Sequence, residues 1–288
     1  MKILVTGASG FIGQNLINSL KNKSAVDLVT LSRSDLNHSE IPNIKIDPNG
    51  RWMEKVTSLE VDGVVHLASC FLASHRPDQI PEIIRSNVEF PTQLIESCRN
   101  VRWFLNVGTF WQHYEQSEYS PVNLYAASKQ AFIDIAQYYL ETSSINFCTV
   151  KLSDTYGPGD TRRKLFNLLR DQLKSSEVLE MSPGEQEIDI LHIDDVVSGL
   201  SAVIELMNSA APDSIKNTSY GLSSGEPKTL KEIVKVFECV TGQDLNIHFG
   251  GREYRPREVM QTWRKYELVP GWRPKIKLDQ GIKQFLSL

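Results

Sequence analysis

The first thirteen residues of this 288-residue chain constrain its fold most strongly. Residues 3–5 form a short apolar run that is typical of a buried parallel strand. Gly7, Gly10 and Gly13 follow at G-x-x-G-x-x-G spacing, and apolar residues then recur with helical period from about Ser9. Glycines let a backbone approach phosphates closely, and a helix N-terminus presents free N–H groups. The stretch therefore predicts a turn that binds a dinucleotide pyrophosphate, although tight turns also use glycine for steric reasons.

Apolar runs alternate with helical patterns through the first half of the chain. Strands are predicted at residues 3–5, 26–32, 44–47, 63–68, 102–107 and 146–152, and helices at about 81–99 and 124–141. Repeated βα units of this kind build a parallel sheet with helices on both faces. We therefore predict an α/β fold, with a doubly wound parallel Rossmann sheet over residues 1–157 and a return segment at about 188–208. Residues 158–288 are predicted to form mainly a smaller C-terminal substrate-binding lobe.

Composition and charge argue against several classes of binding partner. The net charge is −4 and the pI about 5.9, without a basic block, so nucleic acid is not an expected partner. No apolar run approaches the roughly 18 residues that span a bilayer, so we expect no membrane partner. Met1 leads directly into the first strand and the four cysteines are scattered, which predicts a cytoplasmic protein with reduced cysteines. No cluster of His, Cys and Asp residues has the spacing of metal ligands, so we expect no metal.

A second group of residues could carry acid–base chemistry. Tyr125 and Lys129 are four residues apart and share one face of a predicted helix. An ammonium near a phenol lowers the phenol pKa, so that the tyrosine could exchange protons near neutrality. Thr109 follows a predicted strand and Gly108, at the sheet edge where doubly wound folds bind ligands. The alternatives are a packed tyrosine with a solvated lysine, and a turn threonine that caps local backbone.

Together these motifs resemble those of the extended short-chain dehydrogenases/reductases, in the NAD(P)-dependent nucleotide-sugar epimerase/dehydratase group. The carrying motifs are Thr6-Gly-Ala-Ser-Gly-Phe-Ile-Gly13, His66-Leu-Ala68, Asn87-Val88, Thr109 with Tyr125 and Lys129, Tyr156-Gly-Pro-Gly159 and His192-Ile-Asp-Asp195. Within the group, three stretches are most similar to the CDP-3,6-dideoxyhexose 4-reductases (paratose and abequose synthases). They are Asn106-Val-Gly-Thr-Phe110, Asn123-Leu-Tyr-Ala-Ala-Ser-Lys129 and Arg255-Pro-Arg-Glu-Val-Met260.

The resemblance implies an NADPH-dependent 4-ketoreductase of a nucleotide-linked deoxyhexulose, such as CDP-4-keto-3,6-dideoxyglucose, in surface polysaccharide (O-antigen) synthesis. By resemblance, Tyr125 gives a proton to the C4 ketone, Lys129 binds the nicotinamide ribose and lowers the tyrosine pKa, and Thr109 polarises the carbonyl. The nicotinamide supplies the hydride. A homodimer through the two predicted helices is also implied. An NAD-dependent nucleotide-sugar 4-epimerase and a redox-sensing binding module without turnover remain open as alternatives.

Two departures from the family pattern discriminate among these activities. Related 4,6-dehydratases place an Asp-Glu pair directly after the threonine, where this chain has Phe110 and Trp111, so dehydration is not expected. At the end of the second strand, Arg33 stands between Ser32 and Ser34. An arginine suits the 2′-phosphate of NADP, whereas an acidic residue would hold the ribose of NAD. NADP suits an enzyme that releases oxidised cofactor after each turnover, and NAD remains possible.

The resemblance also assigns binding residues. The predicted cofactor-binding residues are Thr6, Gly7, Ser9, Gly10, Phe11, Ile12, Gly13, Ser32, Arg33, Ser34, Asp47, Leu67, Ala68, Ser69, Asn87, Tyr125, Lys129 and Leu152. The predicted substrate-binding residues are Thr109, Phe110, Trp111, Arg162, Lys164, Arg252 and Arg255. Arginine forks pair with diphosphate oxygens, although solvated surface charge is the alternative. Asp47 would bind the adenine amino group or form a turn, and Trp263 could stack on a ligand or lie in the core. Asp194 and Asp195 are expected to form a helix N-cap.

Overall fold

One parallel sheet organises the part of the chain that the structure describes, residues 1–21, 23–34, 40–211 and 214–287 of a computed structural model. The strands are β1 (Lys2–Thr6), β2 (Asp27–Ser32), β3 (Asn43–Lys45), β4 (Gly63–His66), β5 (Trp103–Thr109), β6 (Asn146–Leu152), β7 (Asp154–Tyr156), β8 (Leu179–Met181), β9 (Glu187–Ile188), β10 (Ile190–His192), β11 (Thr218–Leu222), β12 (Lys228–Thr229), β13 (Ile247–Phe249) and β14 (Glu267–Leu268). The helices are α1 (Phe11–Leu20), α2 (Arg51–Thr57), α3 (Ile80–Ile84), α4 (Phe90–Ser97), α5 (Leu124–Thr142), α6 (Leu165–Gln172), α7 (Ile193–Ser209), α8 (Leu230–Thr241) and α9 (Leu278–Leu286).

The strand order shows where a ligand can bind. Among the described residues the main sheet has the order β14-β11-β6-β5-β4-β1-β2-β3, and all of its neighbouring strands are parallel. The order reverses at β1, because the chain first builds outward through β2 and β3 and then continues on the other side. Open α/β sheets bind ligands at the carboxyl ends of the strands beside such a reversal. The predicted doubly wound parallel sheet is confirmed.

Each face of the sheet has its own apolar core, because side chains alternate along a strand. Ile3 and Val5 of β1 pack with α1 and α7 on one face. Leu4, between them, packs with α2, α4 and α5 on the other face. All three side chains are completely buried, and each such burial contributes about 1.5–3 kcal/mol. One short strand therefore anchors both helical layers.

The helix predicted at residues 81–99 is interrupted, which corrects that prediction. A 3₁₀ turn (Pro77–Gln79) and α3 precede a π turn at Arg85–Glu89, and only then does α4 begin. Pro91 has no N–H to donate to the carbonyl four residues earlier, so the α-helical ladder cannot pass through that position. The π turn also points the Asn87 side chain inward, where it is completely buried.

The C-terminal half returns to the main sheet more extensively than predicted. The return segment was placed at about 188–208, but β11 also pairs with β6, and β14 pairs with β11. Helix α7 covers the face of the sheet that α1 covers, and Trp272 packs in the same core. The remaining elements around α6, α8 and α9 enclose a third core that includes Phe166, Phe237 and Phe285. The chain crosses between this third core and the sheet several times, and the smaller substrate-binding lobe over residues 158–288 stays a prediction.

The expected N-cap at Asp194 and Asp195 is wrong. The cap of α7 is His192, whose Nδ1 accepts the Asp194 N–H at 3.3 Å, and both aspartates lie in the first turn. The buried Asp195 carboxylate instead accepts the N–H groups of Lys275 and Ile276 at 3.0 and 2.9 Å. Asp195 thereby fastens the segment before α9 to the helix that covers the sheet.

The described residues contain neither a membrane-spanning helix nor a disulfide bond. No helix there is long and apolar enough to cross a bilayer. All four cysteines are described, and all four are free thiols.

Candidate active site

The turn after β1 has no room for a side chain at two of its glycines. Gly7 has a φ of +71°, and a Cβ at this position would lie 2.6 Å from the Ala68 backbone nitrogen. A Cβ at Gly13 would lie 2.2 Å from the Gly7 carbonyl oxygen. The Thr6 hydroxyl is hydrogen-bonded to His66 Nδ1 at 2.8 Å and accepts the Ala68 N–H at 3.2 Å, which fastens the loop after β4 to this turn. Thr6 is completely buried and holds the predicted cofactor loop from behind, and its cofactor contact stays a prediction.

The N-terminus of α1 is available to an anion. Its N-cap is Gly10, and no side chain caps the first turn. Ser9 and Gly10 are exposed to solvent. The uncapped N–H groups and the positive end of the helix dipole are therefore free to face a phosphate, as a dinucleotide requires.

The predicted adenosine side of the cofactor site lies at the ends of β2 and β3. Arg33 and Ser34 are exposed there, whereas the Ser32 hydroxyl bonds the Ser34 carbonyl and the Asn43 side chain. Residues 35–39, which follow directly, lie outside the described residues. The Asp47 carboxylate accepts N–H groups at the start of α2, including that of Trp52 at 3.0 Å. The turn alternative for Asp47 is thus realised, while its adenine contact stays a prediction.

A cavity of about 540 Å³ opens at the carboxyl ends of β5 and β6. It brings together the three predicted catalytic residues, Thr109, Tyr125 and Lys129. The other predicted site residues that line it are Ile12, Leu67, Ser69, Phe110, Trp111, Leu152, Arg162, Lys164 and Arg255. Arg252 is not among its lining residues, and its substrate contact stays a prediction.

Tyr125 is placed by the start of α5. The Asn123 side chain caps this helix by accepting the Ala126 N–H at 2.9 Å, and Phe71 packs edge-on against the tyrosine ring. Burial raises the pKa of Tyr125 to about 12, against the opposing effect of a hydrogen bond with Ser69. The expected lowering of this pKa by Lys129 is therefore wrong for the cofactor-free protein. The phenol is protonated at neutral pH, which is the state that a proton donor needs.

Lys129 presents a buried charge without a partner. Its side chain is 2% exposed, and its ammonium has no hydrogen-bond partner among the described residues. Burial lowers its pKa to about 8. An unpaired buried ammonium is unfavourable unless a ligand supplies acceptors, and Lys129 lines the cavity. Together with the glycine turn and the uncapped α1, this orphaned group fits a nicotinamide dinucleotide whose ribose hydroxyls reach Lys129.

We expect Lys129→Met to stabilise the cofactor-free protein at pH 7 by up to about 3 kcal/mol while weakening cofactor binding. The unfolded chain holds the lysine proton more tightly than the folded chain, because the folded pKa is about 8 and the usual value 10.5. The cost of the buried charge is complete below pH 8 and disappears as the pH rises to 10.5. Denaturant unfolding at pH 7 and near pH 10, combined with NADPH titration, measures both effects.

The matched control for this substitution is Lys55→Met, which removes an exposed lysine on α2. It should leave both the free energy of unfolding and cofactor affinity nearly unchanged. A Lys129→Met protein that is less stable than the wild type at pH 7 would contradict the assignment of an uncompensated charge.

Thr109 has a structural and a chemical role. Its hydroxyl oxygen accepts the Trp111 N–H at 3.2 Å and caps the 3₁₀ turn Phe110–Gln112, which realises the turn-cap alternative. Its own N–H donates to Gln112 at 3.0 Å. Because the hydroxyl accepts in this cap, its proton is left to donate into the cavity that Tyr125 also lines.

Three of the four predicted phosphate-binding cations already have partners. Arg162 donates to the buried Asp160 carboxylate at 2.7 Å and to the Thr155 carbonyl at 3.0 Å, so it braces the loop after β7. Lys164 pairs with Asp154 at 3.0 Å. Arg255 pairs with Glu258 at 3.2 Å, and its guanidinium lies over the Trp111 ring. Arg255 is exposed and can reorient toward a diphosphate, whereas Arg162 is better described as a brace.

The structure also adds residues that sequence analysis missed. The Ser153 hydroxyl is buried, has no hydrogen-bond partner in the described part of the chain, and lines the cavity directly after β6. The sheet-edge argument used for Thr109 applies equally to Ser153 and would have found it. His113 stacks on Trp263 with ring centroids 3.7 Å apart, and its Nε2 lies 2.8 Å from the Lys151 ammonium. No local pattern signals this group, since its members are far apart in the sequence.

The four cavity carboxylates are all engaged. In the described residues Asp154 pairs with Lys164, Glu187 with Arg264, Asp189 with Ser223 and Ser224, and Glu258 with Arg255. No group of three or more His, Cys, Asp or Glu side chains among these residues could hold a metal ion. Among the described residues the cavity therefore holds no unpaired carboxylate, and proton donation by Tyr125 with hydrogen bonding by Thr109 stays the predicted chemistry.

Comparison with known proteins identifies the family. The NAD dependent epimerase/dehydratase family matches residues 3–217. A CDP-abequose synthase from Salmonella muenchen is 26% identical over 100% of this chain and 97% of its own length. A CDP-abequose synthase from Salmonella typhimurium is 28% identical over 99% of this chain and 97% of its length.

Solved structures agree on the fold. UDP-glucuronic acid 4-epimerase from Bacillus cereus, in complex with UDP-glucuronic acid and NAD, superposes with a TM-score of 0.84 at 22% identity, over 100% of this chain and 98% of that one. UDP-glucose 4-epimerase from Thermotoga maritima gives 0.85 at 18% identity, with the same coverage. The chain therefore belongs to the NAD dependent epimerase/dehydratase family, as an NAD(P)-dependent enzyme of the extended short-chain dehydrogenase/reductase type.

Proposed function

We propose that this enzyme is an NADPH-dependent 4-ketoreductase of a nucleotide-linked deoxyhexulose, such as CDP-4-keto-3,6-dideoxyglucose, in O-antigen sugar synthesis. The full-length similarity to two CDP-abequose synthases supports the substrate class. The observation that carries the reaction type is that the Tyr125 phenol and the Thr109 hydroxyl line the same cavity, where both can donate to one ligand oxygen. Reduction of a ketone needs a proton donor at this place, whereas oxidation of an alcohol would need a phenolate.

In the proposed reaction the bound cofactor supplies hydride to C4. The Thr109 hydroxyl donates to the carbonyl oxygen and holds it beside Tyr125. As negative charge builds on this oxygen, Tyr125 gives up its Oη–H proton, so that an O–H bond forms on the sugar and a phenolate remains. The Lys129 ammonium binds the ribose and stabilises the phenolate until solvent returns a proton.

Dehydration is disfavoured by the residues after Thr109. Phe110 is buried, edge-on against Trp263 at 5.2 Å between centroids, and Trp111 lies between Phe71 and Arg255. Neither side chain can protonate or deprotonate a sugar. Elimination of water requires such an acid–base pair.

The test of the function is NADPH oxidation by the purified protein with CDP-4-keto-3,6-dideoxyglucose. We expect one equivalent of a C4 alcohol per NADPH consumed, with weaker activity on the analogue that keeps a 3-hydroxyl. Absence of oxidation with every nucleotide 4-keto-6-deoxysugar would contradict the proposal. Tightly bound NAD with interconversion of two sugars and no net oxidation would instead establish a 4-epimerase.

We also propose a cytoplasmic homodimer. The four free cysteines fit a reducing compartment. Ile80 and Ile84 of α3 and Tyr138 of α5 are large exposed apolar side chains on the helices that are expected to form the dimer interface. Sedimentation at micromolar concentration should give twice the chain mass of 32.6 kDa, and Ile84→Asp should shift it toward the monomer. A wild-type monomer under these conditions would refute the dimer.

A further inference from the structure

Phe71 is a large apolar side chain that stays exposed at the candidate active site. It lies in the segment between β4 and α3, and it is 45% exposed. Of the large apolar side chains that are exposed in the described part of the chain, Phe71 alone lines the cavity. Exposed apolar surface that borders a pocket is typical of a place where a ligand packs. A ligand that enters the cavity therefore meets an uncovered phenyl ring.

Three neighbours fix the position of the Phe71 ring. It stands edge-on to the Tyr125 ring, with centroids 5.0 Å apart and an interplanar angle of 83°. The Trp111 ring is tilted against it with centroids 5.6 Å apart, and the Lys164 ammonium lies 5.4 Å from its centroid. Since all three neighbours line the same cavity, the exposed part of the Phe71 ring borders the space beside Tyr125.

The chemistry of a phenyl ring determines what can bind against it. A methylene or methyl group that covers the ring removes apolar surface from water, which favours binding in proportion to the area covered. A hydroxyl in the same place loses its water and finds no nitrogen or oxygen partner on the ring, which opposes binding. Phe71 can therefore discriminate between a sugar carbon that has lost its hydroxyl and one that keeps it.

The sugar of the proposed reaction presents such carbons next to the reacting centre. Its C4 lies at Tyr125, and the two carbons bonded to C4 are C3 and C5. In a 3,6-dideoxy sugar C3 is a methylene and C5 carries the C6 methyl group. We propose that Phe71 is a specificity-determining residue that packs against a deoxygenated carbon of the sugar, the C3 methylene or the C6 methyl group. This inference rests on the proposed function, which places C4 at Tyr125.

The experiment measures the binding of nucleotide sugars that cannot react. CDP-glucose, CDP-6-deoxyglucose and CDP-3,6-dideoxyglucose are titrated by calorimetry into protein loaded with NADPH, and as C4 alcohols they cannot accept hydride. The first two ligands differ only at C6 and the last two only at C3, so two affinity ratios separate the two carbons. The variants are Phe71→Asn and Phe71→Leu, with Tyr119→Asn as the matched control. Tyr119 is an exposed aromatic residue that does not line the cavity.

We expect the wild type to prefer the deoxygenated ligand by about tenfold or more at C3 or at C6, and the carbon concerned is the one that faces Phe71. Phe71→Asn, whose amide can bond a hydroxyl, should lower that ratio by about fivefold or more. Phe71→Leu stays apolar and should keep the ratio, as should Tyr119→Asn. Equal NADPH affinity in all four proteins shows that the cofactor site is intact.

The proposal is overturned by a wild type without preference at either carbon, or by an unchanged ratio in Phe71→Asn. An equal loss in Phe71→Leu or in Tyr119→Asn overturns it as well. Because these titrations involve no turnover, they are independent of the reductase assay. A protein that reduces no 4-keto sugar but shows the Phe71-dependent ratio fails only the proposed function. A reductase whose ratios do not depend on Phe71 fails only this inference.

Discussion

Replacement of Tyr125 by phenylalanine is expected to reduce turnover by about 10²–10⁴-fold while NADPH affinity stays within about twofold. The substitution removes only the proton that the phenol gives to the sugar oxygen. The ring remains, and so does its edge-on contact with Phe71 at 5.0 Å between centroids. Steady-state NADPH oxidation with the 4-keto sugar and a separate fluorescence titration of NADPH measure the two effects.

The control for Tyr125→Phe is Tyr138→Phe on the same helix. Tyr138 is 57% exposed and does not line the cavity, so its hydroxyl should be dispensable for turnover. A Tyr125→Phe enzyme that keeps more than about a tenth of wild-type turnover would show that another group donates the proton. A redox-sensing binding module, in contrast, would bind NADPH and show no turnover in either protein.

Replacement of Arg33 by aspartate is expected to reverse cofactor preference, with a change of about 100-fold in the ratio of NADPH to NADH affinity. Loss of charge-assisted bonds to the 2′-phosphate weakens NADPH binding by about 1.5–3 kcal/mol, and the new carboxylate repels the phosphate. The same carboxylate can accept hydrogen bonds from the ribose hydroxyls of NADH. Binding titrations with both reduced cofactors give the ratio directly.

An exposed arginine elsewhere provides the control for Arg33. Arg273→Asp makes the same charge change in the segment after β14, and it should leave the ratio unchanged. If wild-type protein binds NADH as tightly as NADPH, or Arg33→Asp leaves the ratio unchanged, NADP specificity through Arg33 is wrong. NAD that copurifies with the protein would then make the 4-epimerase the working hypothesis.

The sequence predicts the sheet well because its central strands are buried along their length and are rich in apolar residues. Residues 3–5 of β1 form a continuous apolar run, and all three side chains are completely buried. The π turn could not be predicted in the same way, since Asn87 turns inward only to bond Cys70 and Ser128, which are distant in sequence. Likewise β14 has two residues and is a strand only because β11 lies beside it.

The sequence predicts which residues form the candidate catalytic group, but it does not predict the pKa of Tyr125. Spacing alone places Tyr125 and Lys129 on one face of α5. The direction of the Tyr125 pKa depends instead on how much solvent the surrounding chain excludes, and burial raises this pKa here. Arg162 shows the same limit, since a free cation and a brace are indistinguishable until the position of Asp160 is known.

The strand order affects how this protein folds while it is synthesised on the ribosome. Strand β6 is an inner strand of the finished sheet, yet its neighbour β11 is made from residues about seventy positions later. Until those residues emerge, the nascent chain carries an open parallel edge and an apolar face that α7 has yet to cover. The N-terminal half therefore cannot complete its fold before the C-terminal residues have been synthesised. We expect chains that end before β11 to aggregate or to be degraded, and synthesis to be the stage at which this enzyme depends most on chaperones.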